Sequence, residues 1–122
     1  MQRCNKTKPR YDLEKRTKIF AISIRSFLEE ITKSISNIED SKQLARASGS
    51  IAANYIEANE SLSKKDFCMR IKISRKEAKE CRLFLELIVI KNKKLETTRQ
   101  NLIREATEIM LILSSIHSKA CV

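Results

Sequence analysis

Apolar side chains recur every three or four residues along most of this chain, which is the spacing of one face of an α-helix. The clearest run alternates four- and three-residue steps over three heptads and predicts a long helix with a continuous buried seam. One run follows it and two precede it, so the pattern predicts four helices. The seam positions are Leu13, Phe20, Ile24, Phe27, Leu28, Ile31 and Ile35 in helix one, Leu44, Ser48, Ile51, Tyr55, Ala58 and Leu62 in helix two, Phe67, Ile71, Ser74, Ala78, Cys81, Leu85 and Ile88 in helix three, and Leu102, Ala106, Ile109, Leu113 and Ile116 in helix four.

Polar residues that commonly cap helices indicate where the helices begin. Asp12 is placed to cap helix one, and Ser63 opens a sequence that resembles a capping box before helix three. Helix two is expected to begin at about Asp40, after a short connector, and Thr97 or Thr98 is expected to cap helix four. Four long helices with short connectors predict an all-α, antiparallel, up-down-up-down four-helix bundle.

The composition agrees with this fold, because the chain has one glycine and one proline in 122 residues. Its length fits a single domain, which we assign to residues 11–122, and residues 1–10 are predicted to be a flexible basic arm. Gly49 lies among alanines in helix two and predicts a close approach of a neighbouring helix, although a merely tolerated glycine fits the sequence equally well.

Basic residues outnumber acidic ones by 25 to 15, which gives a net charge of +10. The excess is concentrated in residues 1–18 and 63–90, whereas residues 39–62 are net acidic. Such a distribution favours a polyanionic partner, because basic groups speed the encounter and release counterions from it. The alternative is that the charge only keeps the protein solvated.

Four cysteines without a CxxC pair and a single histidine make a metal site improbable. Cys68 and Cys81 would lie about 20 Å apart along one helix, which forbids a disulfide between them. We therefore expect reduced, intracellular thiols and no cofactor. No signal-peptide pattern is present, and apolar runs such as residues 87–90 are too short to span a bilayer, so a cytoplasmic location without membrane contact is expected.

No catalytic motif is present, and the chain is predicted not to be an enzyme. A di-iron bundle needs Glu-x-x-His, but Ser114 stands three residues before His117. Helical-bundle ribonucleases use an arginine separated from a histidine by four to six residues, and residues 110–112 before His117 offer none. A phosphate-binding loop and a dinucleotide fingerprint are also absent.

Basic residues of helix three recur on the side away from its apolar seam, which predicts a surface that contacts nucleic-acid phosphates without reading sequence. Four basic residues in the arm would extend its reach. The alternative is that Glu77 and Glu80 neutralise part of this surface. The candidate nucleic-acid-binding residues are Lys65, Lys72, Arg75, Lys76, Lys79 and Arg82 in helix three and Arg3, Lys6, Lys8 and Arg10 in the arm.

The end of helix three, residues 83–90, is apolar nearly all round, whereas a helix in a lone bundle needs only one apolar stripe. We therefore expect a subunit interface beside the main seam, formed by Ile73, Phe84 and Leu87. The alternative is that helix one or the arm covers these residues.

Several strings in the chain resemble the bacterial four-helix bundle proteins encoded by intervening sequences of the large-subunit (23S) ribosomal RNA gene. The resemblance covers roughly residues 11–118. Leu83-Phe84 departs from it, since the family often has Tyr-Trp there. The strings are Tyr11-Asp12-Leu13, Gln43-Leu44, Ser48-Gly49-Ser50-Ile51-Ala52-Ala53-Asn54-Tyr55-Ile56-Glu57-Ala58, Ser63-Lys64-Lys65-Asp66-Phe67 and Lys76-Glu77-Ala78-Lys79-Glu80-Cys81-Arg82-Leu83-Phe84-Leu85-Glu86-Leu87.

The resemblance implies a homopentameric, barrel-like assembly with a basic surface. The related accessory variability determinant proteins of diversity-generating retroelements bind nucleic acid and a reverse transcriptase, which implies the same kinds of partner here. Two hypotheses follow. The chain is a nucleic-acid-binding accessory protein, or it is a structural or scaffolding oligomer whose positive charge is incidental.

Overall fold

The computed structural model describes residues 9–121, with side chains from residue 13 onward. It contains α1 (Pro9–Glu30), α2 (Ile35–Asn59), α3 (Lys64–Leu87) and α4 (Lys93–Ala120). No strand occurs within residues 9–121, so the prediction of an all-α chain with four helices is confirmed. None of the helices in this part of the chain is long and apolar enough to cross a membrane. Most of the predicted arm, residues 1–8, lies outside the described residues.

The first two helices begin earlier than the sequence pattern predicts. Pro9 is the first residue of α1, a position where its fixed φ and missing N–H cost nothing, so Asp12 lies inside the helix and does not cap it. The second helix begins at Ile35, because the side chain of Ser34 accepts a hydrogen bond from the backbone N–H of Asn37. The expected connector before Asp40 is therefore the first turn of α2.

The third helix begins as predicted, with the hydroxyl of Ser63 accepting a hydrogen bond from the N–H of Asp66 at 3.1 Å. The prediction for the fourth helix was wrong. Asn92 caps α4 by accepting hydrogen bonds from two backbone N–H groups of the first turn. Thr97 and Thr98 lie inside the helix, where their hydroxyls donate to carbonyls one turn earlier.

The helices pack in a ring in which α1 and α3 each contact both α2 and α4. Every seam position predicted for α3 is buried except Phe67, which packs against the core from its edge. This packing is consistent with a bundle around one hydrophobic core. Its buried apolar side chains are Leu13, Phe20, Ile24, Phe27, Ile31, Leu44, Ala47, Ile51, Tyr55, Ala58, Ile71, Ala78, Cys81, Leu85, Ile88, Leu102, Ala106, Ile109 and Leu113.

We expect Leu85→Ala to lower the free energy of unfolding by about 3 kcal/mol, because a fully buried leucine loses both its transfer energy and its packing. Urea unfolding measures this difference. Lys72→Ala is the control, since Lys72 is exposed on the same helix and its loss should change stability very little. Equal midpoints for the two variants would show that the α3 seam is assigned to the wrong residues.

Gly49 faces an arginine of the neighbouring helix. A Cβ atom at this position would lie 3.3 Å from a guanidinium nitrogen of Arg25. That guanidinium donates hydrogen bonds to the hydroxyl of Ser48 at 3.2 Å and to the carbonyl of Ala45 at 3.3 Å. The glycine therefore gives room to an α1 side chain that binds the surface of α2.

The side chains of Asn37 and Arg99 form hydrogen bonds that link the connectors to the bundle. The side-chain amide of Asn37 donates to the carbonyls of Thr32 and Val89, and its oxygen accepts from the N–H of Val89. We call these contacts the Asn37 clasp. Arg99 of α4 donates to the carbonyls of Leu85 and Ile88, at the C-terminal end of α3.

The cysteines differ from the expectation of reduced thiols. Cys68 near the start of α3 and Cys121 after the end of α4 form a disulfide with a Cα–Cα distance of 5.8 Å. Cys81 is buried and remains a thiol, and desolvation together with the charges of Glu77 and Glu80 raises its pKa to about 12. The pairing was missed because it joins residues 53 positions apart.

Candidate nucleic-acid interface

The six candidate cations of α3 form what we call the basic strip. Lys65, Lys72, Lys76 and Lys79 are exposed on the outer face of the helix. Arg75 and Arg82 are partly buried. Because α3 makes 3.6 residues per turn, these two side chains leave the helix nearer to its seam than the lysines do. On the α4 side, a guanidinium nitrogen of Arg82 lies 3.7 Å from the sulfur of Met110.

Two carboxylates beside the basic strip are held by a cation of the neighbouring helix. Arg46 of α2 contacts Glu77 at 3.3 Å and Glu80 at 3.2 Å. Glu77 is nearly buried, with 5% of its surface exposed, and its hydrogen bond is the main reason that the pKa of Arg46 is raised. These carboxylates are therefore directed towards α2, although Glu77 also lies 4.0 Å from the amine of Lys76.

Four other cations of the basic strip form no ion pair with a described carboxylate. Within residues 13–121, no carboxylate forms an ion pair with Lys65, Lys72, Arg75 or Lys79. The sequence left open whether Glu77 and Glu80 neutralise part of the strip. Among these residues, the ion pair that joins either glutamate to a strip cation is the one between Glu77 and Lys76 at 4.0 Å. A row of unpaired cations attracts polyanions more strongly than paired ones do.

Two shallow depressions lie along the basic strip and meet at Lys76 and Lys79. The first has a volume of about 460 Å³ and the second a volume of about 380 Å³. Each contains apolar as well as basic side chains. The first is bounded by Met69, Lys72, Ile73, Arg75, Lys76 and Lys79, and the second by Lys76, Lys79, Glu80, Arg82, Leu83 and Glu86.

The predicted interface residues are covered to different degrees. Leu87 is 49% exposed, Ile73 is half-buried, and Phe84 packs partly against the core of its own bundle. Leu83 and Val89 are also about half exposed, at 49% and 53%. The described part of the chain therefore leaves much of the apolar end of α3 uncovered, and whether it is a subunit contact stays a prediction.

The four arm residues proposed to extend the strip, Arg3, Lys6, Lys8 and Arg10, lie outside the residues whose side chains are described. Among residues 9–121, no group of three or more His, Cys, Asp or Glu side chains is placed to hold a metal ion.

Sequence reasoning missed three residues that shape this surface. Arg46 was missed because its role depends on the register between α2 and α3, which heptads within one helix do not encode. Met69 and Leu83 were missed although a signal exists, because each stands four residues from a strip lysine on the exposed side of α3.

A model of the 23S rRNA-intervening sequence proteins matches residues 10–115. The chain belongs to this family. The match includes α3 with its basic strip and ends before Cys121, so the family relation says nothing about the disulfide.

A solved crystal structure supports the fold. The chain is similar to a crystal structure of a protein of unknown function from the S23 ribosomal protein family of Bacteroides thetaiotaomicron, with 28% identity and a TM-score of 0.73. The alignment covers 86% of this chain and 97% of the other. No curated protein sequence matches the chain.

Proposed function

We propose that this 23S rRNA-intervening sequence protein is a non-catalytic helical bundle that binds RNA or DNA through the phosphate backbone. The supporting observation is that Lys65, Lys72, Arg75 and Lys79 have no ion-pair partner among residues 13–121, while Arg46 pairs with Glu77 and Glu80. The net charge of +10 adds to the attraction.

Binding through the phosphate backbone should depend little on sequence and should be sensitive to salt. Lysine amines act as point charges on phosphates and offer no bidentate pattern for base edges. Each phosphate contact releases a counterion, so affinity falls steeply as salt rises.

The triple variant Lys72→Glu/Lys76→Glu/Lys79→Glu tests this proposal by fluorescence anisotropy with RNA and DNA across a salt series. We expect affinity at low salt to fall by more than roughly tenfold. The slope of log affinity against log salt should become shallower by about 2, since about three phosphate contacts are lost.

The matched control is Lys15→Glu/Lys18→Glu/Lys33→Glu, which changes net charge equally but reverses exposed lysines of α1 and of the connector that follows it. We expect this control to lose much less affinity. Equal losses in the two triple variants would mean that net charge alone drives binding and that α3 is not the surface.

A second candidate function is structural. We propose that the chain forms an antiparallel up-down-up-down bundle that assembles into a homopentamer, either as a cytoplasmic scaffold or as an accessory factor to a protein such as a reverse transcriptase. The exposed apolar side chains at the end of α3 favour self-association, because water-exposed leucine and valine in one place commonly mark a contact surface. Five is the number of subunits that the family resemblance implies.

Leu87→Glu is expected to dissociate the oligomer, because it would bury an unpaired charge at the proposed interface. Light scattering at micromolar concentration measures the mass of wild type and variant. Leu111→Glu is the control, since Leu111 is a leucine of similar exposure (58%) that lies on α4. A monomeric wild type would exclude self-association.

A further inference from the structure

We infer that the nucleic acid on the basic strip is single-stranded, with its bases in the two depressions of α3 and the phosphates between them on Lys76 and Lys79. The inference rests on the proposed function and specifies the class of nucleic acid. Three features that follow one another along α3 support it. They are a depression with apolar and basic side chains, the pair Lys76 and Lys79, and a second such depression.

The spacing suits a flexible strand. The second depression is offset from the first by about seven residues, or about 10 Å at the rise of an α-helix. Lys76 and Lys79 border both depressions and lie where the connecting backbone would pass. A nucleic-acid strand in this position presents bases and phosphates in alternation. The surface of α3 presents apolar side chains and cations in the same alternation.

The exposed apolar side chains fit bases and not phosphates. Met69 is 47% exposed and Leu83 is 49% exposed, one in each depression. A duplex keeps the faces of its bases stacked inside and would offer these side chains no partner. An unpaired strand exposes those faces, and the guanidinium groups of Arg75 and Arg82 at the depressions can also lie against them.

A carboxylate in the second depression points to the same conclusion. Glu86 is exposed, borders this depression and forms no ion pair within residues 13–121. It would repel a phosphate placed there, but it can accept a hydrogen bond from the amino group of an unpaired cytosine or adenine. The depression therefore favours a base over the backbone of a duplex.

Fluorescence anisotropy with four probes tests the inference on the full chain. They are a single-stranded RNA of about 12 nucleotides, the blunt duplex of the same sequence, polyphosphate and polyglutamate. Polyphosphate has the charges without bases, and polyglutamate stands for an acidic protein. We expect the single strand to bind at least roughly tenfold more tightly than the other three probes.

The variant Met69→Ser/Leu83→Ser removes the apolar contacts and keeps every charge. We expect it to weaken single-strand binding by roughly five- to tenfold and to leave duplex and polyphosphate binding unchanged. Leu111→Ser, on the exposed face of α4, is the control and should bind all probes as the wild type does. Circular dichroism checks that each variant is folded.

The outcomes distinguish the inference of single-strand binding from the proposed function, which is nucleic-acid binding in general. Duplex or polyphosphate binding as tight as single-strand binding, or an unchanged single-strand affinity in Met69→Ser/Leu83→Ser, would overturn the inference and leave nucleic-acid binding intact. Preference for polyglutamate would identify the strip as a protein-docking surface and overturn both. Absence of binding to every probe would also overturn both.

Discussion

Cys121→Ser should lower the free energy of unfolding of the oxidised protein by about 4 kcal/mol, because the disulfide closes a loop of 53 residues that the unfolded chain would otherwise explore. For a domain of this size, that loss corresponds to a fall of roughly 15 °C in the melting temperature. The bond joins the start of α3 to the end of α4, so its loss releases the last turn of α4.

Differential scanning calorimetry with and without reductant measures this effect. Cys68→Ser and Cys121→Ser should have the same melting temperature. Reductant should lower the melting temperature of the wild type to that value and should not change that of either variant. A wild type that does not respond to reductant would show that the bond contributes no stability. Because a reducing compartment keeps such thiols reduced, the lower melting temperature is the one expected in a cytoplasm.

The helices of this fold were predictable where they depend only on residues that are close together in the sequence. The α3 seam was correct because heptad spacing over three heptads specifies one buried face. The start of α4 was not predictable in the same way, since Asn92, Thr97 and Thr98 are all acceptable caps and only the packed connector selects Asn92. Ser34 was overlooked because apolar Ile35 extended the predicted pattern of helix one past its true end at Glu30.

The candidate site was predictable in part for the same reason. Lys65, Lys72 and Lys79 share a face of any helix, since seven residues complete nearly two turns. Whether the nearby glutamates cancel this charge depends on Arg46, which lies 31 residues from Glu77 in the sequence. The disulfide likewise depends on contacts between helices, which periodicity within one helix does not contain.

Asn37→Asp should destabilise the protein by about 4 kcal/mol at neutral pH, more than an exposed substitution could. The Asn37 amide donates to the carbonyls of Thr32 at 2.9 Å and Val89 at 3.0 Å. A carboxylate donates nothing and would place its charge against both carbonyl oxygens, at a position only 2% exposed. Only the hydrogen bond from the N–H of Val89 would survive.

The pH dependence distinguishes this cause from simple loss of packing. Burial and the two carbonyls should raise the folded-state pKa of the introduced aspartate above its ordinary value of about 3.9, so the protonated form suits the folded state. The penalty is then small below about pH 4, where the carboxyl can still donate to one carbonyl. It grows as pH rises from the ordinary pKa towards the raised folded-state pKa, above which it is complete. Urea unfolding of wild type and variant below about pH 4 and at neutral pH measures the difference.

Asn101→Asp, on the exposed face of α4, is the control and should show little destabilisation at either pH. A penalty for Asn37→Asp that is equal at both pH values would mean that the carboxylate reaches water and that the clasp does not hold the connectors.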